Sequence, residues 1–98
     1  MISFDKNEIK NVWIRIEDRD DAAFTITNDA VFQVYDEDGT SVQAQGSATV
    51  SSDKIYGLVN TTTTGFIAGG SYEVKFTYHI GSETYIDFVH IKLQETKL

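Results

Sequence analysis

From Tyr72 to Ile80 the chain alternates without a break: Tyr72, Val74, Phe76, Tyr78 and Ile80 against Glu73, Lys75, Thr77 and His79. A period of two is that of a strand with one buried and one wet face. Gly81-Ser82-Glu83 reads as a short turn and Thr84 to Leu93 as the returning strand, so the pair predicts a long hairpin. In that returning strand the apolar phase changes. Ile86 and Phe88 share one parity, whereas Val89, Ile91 and Leu93 share the other. A β-bulge near Phe88-Val89 is expected to reconcile them.

The same alternation, weaker, runs through the rest of the chain. Val12, Ile14 and Ile16 predict a first strand from about Glu8 to Glu17. Ala23 to Thr27, with Phe24 and Ile26 inward, predicts a short second one, and Val31 to Tyr35 a third with Phe32 and Val34 facing the core. Asp36-Glu-Asp-Gly39 is a tight turn in which Gly39 supplies the positive φ such turns require. Ser41–Gln45 and Ser47–Ser51 read as polar strands suited to sheet edges, and Ile55–Asn60 as a better strand. Thr61–Thr64 is extended, because β-branched side chains disfavour helix. Phe66-Ile67-Ala68 is expected to plug the core before Gly69-Gly70. About seven short strands, with turn signals every ~8–12 residues and no helical period, predict an all-β domain, an antiparallel two-sheet sandwich spanning residues 1–98.

Composition narrows the chemistry more than it defines it. At 98 residues the chain makes one domain able to fold alone. Without cysteine it has neither disulfides nor thiolate metal sites. Without proline its sheet edges must be protected by charge, by bulges or by another chain. The first residues carry no basic, then apolar, signal pattern, and no apolar run approaches the ~20 residues of a membrane helix. A soluble protein with no membrane partner is expected. Between Glu17 and Asp38 eight acids face one base, so that segment holds the whole net charge of −7. The bases are scattered, which argues against nucleic-acid binding.

Ala68-Gly-Gly-Ser-Tyr-Glu-Val-Lys-Phe76 resembles the start of the penultimate strand of immunoglobulin-like and fibronectin-like domains. There a tyrosine hydroxyl anchors a corner, the role the resemblance gives Tyr72, with Gly70 beside it. The chain departs from true immunoglobulin domains in lacking paired cysteines and in carrying Trp13 on its first strand. A wider pattern runs through Val12-Trp-Ile-Arg-Ile16, Ile26-Thr-Asn-Asp-Ala-Val-Phe-Gln-Val-Tyr-Asp-Glu-Asp-Gly39, Ile55-Tyr-Gly-Leu-Val59 and Val89-His-Ile-Lys-Leu93. It is similar to small immunoglobulin-like structural proteins of tailed bacteriophages, among them head, neck, tail and baseplate components. That resemblance covers most of the chain through generic sandwich motifs. It implies a non-enzymatic virion protein made in the bacterial cytoplasm, with other virion proteins, or further copies of itself, as partners. It implies no catalytic residues and no cofactor.

Three clusters have possible chemistry. If successive strands run up, down and up, loops 18–22 and 36–40 meet, and Asp18, Asp20, Asp21, Asp36 and Asp38 offer the hard oxygen ligands of calcium; the alternative is a solvated acidic pole that deters wrong partners. His79 and His90 are both expected to point outward on adjacent strands, two ligands short of a tetrahedral zinc site. Trp13 and Tyr35 lie on the wet parity of their strands, and with Arg15 they have the composition of an interface hot spot. No nucleophile motif, phosphate loop or triad points to an enzyme. The competing reading is a carbohydrate-binding or adhesion module, with calcium at the acidic loops as the assisting ion and Trp13, Tyr35, Tyr56 and Tyr85 as the only aromatics to hold a sugar.

Overall fold

The computed structural model describes residues 2–5, 7–16, 26–62 and 65–94. Among the described residues eight strands form two sheets: β1 (Ile2–Asp5), β2 (Ile9–Arg15), β3 (Val31–Asp36), β4 (Ser41–Ser47), β5 (Thr49–Ser51), β6 (Lys54–Asn60), β7 (Ser71–Ile80) and β8 (Glu83–Gln94). One sheet has the order β1-β8-β7-β3-β4 and the other β2-β6-β5. This is the immunoglobulin arrangement: β8, β7, β3 and β4 stand where that fold has its G, F, C and C′ strands, and β2, β6 and β5 where it has B, E and D.

Alternation builds the core. The odd-even pattern of β7 buries Tyr72, Val74, Phe76 and Tyr78, and the neighbouring strands add Phe32, Val34, Ile91 and Leu93. The small sheet contributes Val12, Ile55 and Val59, and Phe66 enters from the connection between β6 and β7. Ile67, expected beside Phe66 in the core, instead stands 69% exposed.

Three features differ from expectation. The first strand of the chain is β1, not the Trp13 strand. It pairs parallel with β8, Ile2 opposite Ile91 through Asp5 opposite Gln94, so the sandwich is not wholly antiparallel. Four residues are too few to show a period, and a parallel partner at the far end of the chain leaves no local signal. Secondly, β8 carries no bulge. Its register against β7 is continuous from Ser71–Lys92 to Ile80–Glu83. The phase change is therefore real: Val89, Ile91 and Leu93 face inward, while Ile86 and Phe88 face out of the five-stranded sheet. The irregularity lies between β3 and β4, where the register shifts between Phe32 and Val34 and again before Tyr35.

Thirdly, of the strand expected at Ala23–Thr27, residues 23–25 lie outside the described residues, and Ile26 makes an isolated bridge to Ile80. Loop 18–22, expected to meet loop 36–40, lies outside the described residues. Ile26 and Thr27 sit by His79 and Ile80, whereas Asp36 pairs with Tyr72 at the opposite end of β7. Ile16 bonds to Asp53 at the start of β6, away from the end of β6 that leads to the Tyr72 corner.

Candidate functional site

The corner at the start of β7 fixes the frame. The hydroxyl of Tyr72 accepts the amide N–H of Ile67 at 2.6 Å, and the carbonyls of Gly65 and Ile67 lie 3.4 Å from it. Its ring packs on Phe66 with centroids 4.8 Å apart. Gly70 donates to the Ile67 carbonyl at 2.9 Å. A Cβ at Gly70 would come within 2.8 Å of the Tyr72 hydroxyl, so only glycine lets the chain pass the ring this closely. Gly39 closes the β3–β4 turn at φ 81°. Asp36 organises that turn: its Oδ1 accepts the amides of Asp38 and Thr40, each at 2.9 Å.

On this frame the outer face of the small sheet presents three large exposed apolar side chains, Ile9, Trp13 and Leu58. The register of β2 against β6 sets Trp13 opposite Tyr56, Asn11 opposite Leu58 and Ile9 opposite Asn60. The Trp13 and Tyr56 rings are tilted at 43° with centroids 6.3 Å apart. Trp13, Leu58 and Ile9 are 48%, 52% and 53% exposed. Cations rim the patch. Lys54 Nζ lies 4.9 Å from the Trp13 ring centroid, and Arg15 Nε donates to Asp53 Oδ2 at 2.9 Å. That hydrogen bond is the chief cause holding the Asp53 carboxyl below its ordinary value. An exposed Trp beside a half-buried Tyr, with aliphatic neighbours and an Arg nearby, has the make-up of a binding hot spot.

Tyr35 is not part of this patch. It sits on the outer face of the other sheet, its hydroxyl donating to Gln33 Oε1 at 2.9 Å. There it lines an open groove of about 500 Å³ with Glu73, Lys75, Phe88 and His90. Tyr85 lies elsewhere again, stacked on Tyr78 with centroids 5.6 Å apart. The four aromatics that a sugar-binding row would need are thus divided among three surfaces.

The histidines are also apart. His79 is opposite Thr84 and His90 opposite Glu73, six positions or about 20 Å along the strand. Each has its own carboxylate: His79 Nδ1 is 3.2 Å from Asp29 and His90 Nδ1 is 3.4 Å from Glu73. The Thr27 hydroxyl, 2.5 Å from Asp29, is the main cause lowering the Asp29 pKa, with the His79 ring adding to it. Among the described residues no cluster of three or more His, Asp or Glu side chains is placed to hold a metal ion. Asp18, Asp20 and Asp21 lie outside the described residues.

Sequence reasoning singled out Trp13 and Arg15 but not Ile9 and Leu58, which complete their surface. The alternation of Ile55, Gly57 and Val59 already turns Tyr56 and Leu58 outward. What no local pattern reveals is that β6 lies beside β2. Gln43 was missed for the same reason: its side-chain amide donates to the Leu58 carbonyl at 3.0 Å and accepts the Asn60 amide at 3.0 Å, joining the two sheets. No protein-family model matches the chain, and comparison with curated proteins finds no match.

Proposed function

We propose that the chain is a non-enzymatic structural protein of a bacteriophage or prophage particle, a head, neck or tail component that works through protein–protein contacts. The observation that carries this reading is the exposed Ile9–Trp13–Tyr56–Leu58 face. It is an exposed, largely apolar surface on a sheet, without the concave polar pocket that catalysis uses, and it suits burial against another protein. The resemblance to immunoglobulin-like virion proteins supplies the setting, and the virion is then its location. The uneven acidic charge would orient the subunit against a basic neighbour during assembly.

The test is mass spectrometry of density-purified particles produced by the genome that encodes the chain. The protein is expected in them at fixed stoichiometry, and Trp13→Ala is expected to abolish its incorporation while the purified variant stays folded. Particles that lack the wild-type protein would overturn the reading.

A further inference from the structure

The edges of the two sheets are not equally protected. β1 and β5 are short, four and three residues. β4 is polar and twice shifted in register. The end of β6 beyond β5 is capped by the Gln43 amide. β2 carries Lys10 on its inner parity, with Nζ 5.6 Å from the Phe4 ring. Short strands, bulges and inward charges are the devices by which natural sheets avoid joining other sheets.

The stretch of β8 before β1 begins is different. β1 covers β8 only from Ile91 onward. Leu93 exchanges both its backbone bonds with Gly69 and Gly70 on the β7 side. With the register unbroken, odd residues of β8 therefore turn their backbone groups toward β7 and even ones turn them away. The amides and carbonyls of Thr84, Ile86 and Phe88 thus face a side where no strand lies among the described residues. This edge is regular and holds no lysine or proline, and its inner-parity acids, Glu83 and Asp87, are taken up by the hydroxyls of Tyr85 and Tyr78. It also bears Ile86 and Phe88, 50% and 53% exposed, on one face.

We infer that this edge pairs antiparallel with the same edge of a second copy, about a two-fold axis through Ile86, to make one continuous sheet across the dimer. Two independent features select that register. Centred on Ile86, the pairing sets Ile86 against Ile86, Phe88 against Thr84, Tyr85 against Asp87 and Glu83 against Val89, with no like charges opposed. Moved along to centre on Asp87, it opposes two aspartates directly, which is unfavourable. It also drives Glu83 against Ile91 of the other copy, where β1 already sits. The Ile86 register is the longest that clears β1. Its edge-facing residues supply about six intermolecular backbone hydrogen bonds. Such an edge buries less than the ~800 Å² per partner of a standard interface, so the dimer dissociates on dilution.

Light scattering after size exclusion, across a concentration series, is expected to show the mass rising from monomer to dimer. Phe88→Lys and Ile86→Lys, both at exposed positions, are each expected to weaken association by roughly tenfold or more, the loss of a buried apolar side chain. Their circular dichroism should stay unchanged. The chain has no cysteine, so Ile86→Cys is expected to give an oxidised dimer and Thr84→Cys none. A monomer at every concentration, or a dimer indifferent to both lysine variants, overturns the inference. So does equal cross-linking at the two cysteines. None of these results bears on the Trp13 face.

Discussion

Tyr72 and Ile67 are joined across the corner between β6 and β7 by a 2.6 Å bond from the Ile67 amide to the tyrosine hydroxyl. Without the hydroxyl, that N–H loses its partner in a partly buried turn. Tyr72→Phe is expected to cost about 1–2 kcal/mol. Urea denaturation should show a lower midpoint at unchanged slope, because the same surface is exposed on unfolding. An unchanged midpoint would show that the corner does not stabilise the fold.

Thr61 is a polar side chain buried in the core, at 0% exposure. Its hydroxyl donates to the Glu8 carbonyl at 2.7 Å, beside the Thr61 amide bond to the same carbonyl at 3.0 Å. Thr61→Val keeps the shape and the amide bond and is expected to cost about 1 kcal/mol. Thr61→Ala adds the loss of a methyl group and should cost more; the two thermal midpoints, compared directly, decide whether the hydroxyl matters.

Asp53 and Asp29 both titrate below the ordinary 3.8, held there first by Arg15 and by the Thr27 hydroxyl respectively. A carboxyl with a depressed folded-state pKa contributes stability above its unfolded value and loses it as pH falls through the folded value. The stability difference between wild type and Asp53→Asn should therefore be constant above about pH 5 and shrink as pH falls below the usual carboxylate range. Denaturation curves at a series of pH values measure it. A difference that grows on acidification would contradict the sign.

Trp13 separates fold from function. Its ring touches Tyr56 and Lys54 but lies outside the core, so Trp13→Ala should change stability by only about 0.5–1 kcal/mol. Its effect on particle incorporation should be far larger. If stability and incorporation fall together, the residue is a packing residue and no more.

How much of this was legible follows from where each signal resides. The alternation of Tyr72 to Ile80 is local and strong, and it delivered the central strand. The polar runs at 41–51 gave two sheet edges, because edge strands shed apolar residues. Ile2–Asp5 had no such signal: its stabilising partner is some ninety residues away, and the strand is too short to show a period, although Phe4 reaches the core. Ile86 and Phe88 misled in an instructive way. Apolar residues are expected to face inward, and it would take a bulge to turn them, whereas the strand is regular and the two side chains are exposed. At the surface, Trp13 was legible as exposed from its parity, but its companions Leu58 and Ile9 depend on which strand lies next to which.

Because β1 runs parallel to the end of β8, a tension applied at residue 2 and residue 94 pulls the two strands past one another lengthwise. All four pairs between Ile2–Asp5 and Ile91–Gln94 then bear the load at once and must break together, where an antiparallel pair pulled from one end would peel apart bond by bond. The short strand that the sequence hides would act as a mechanical latch on the sandwich.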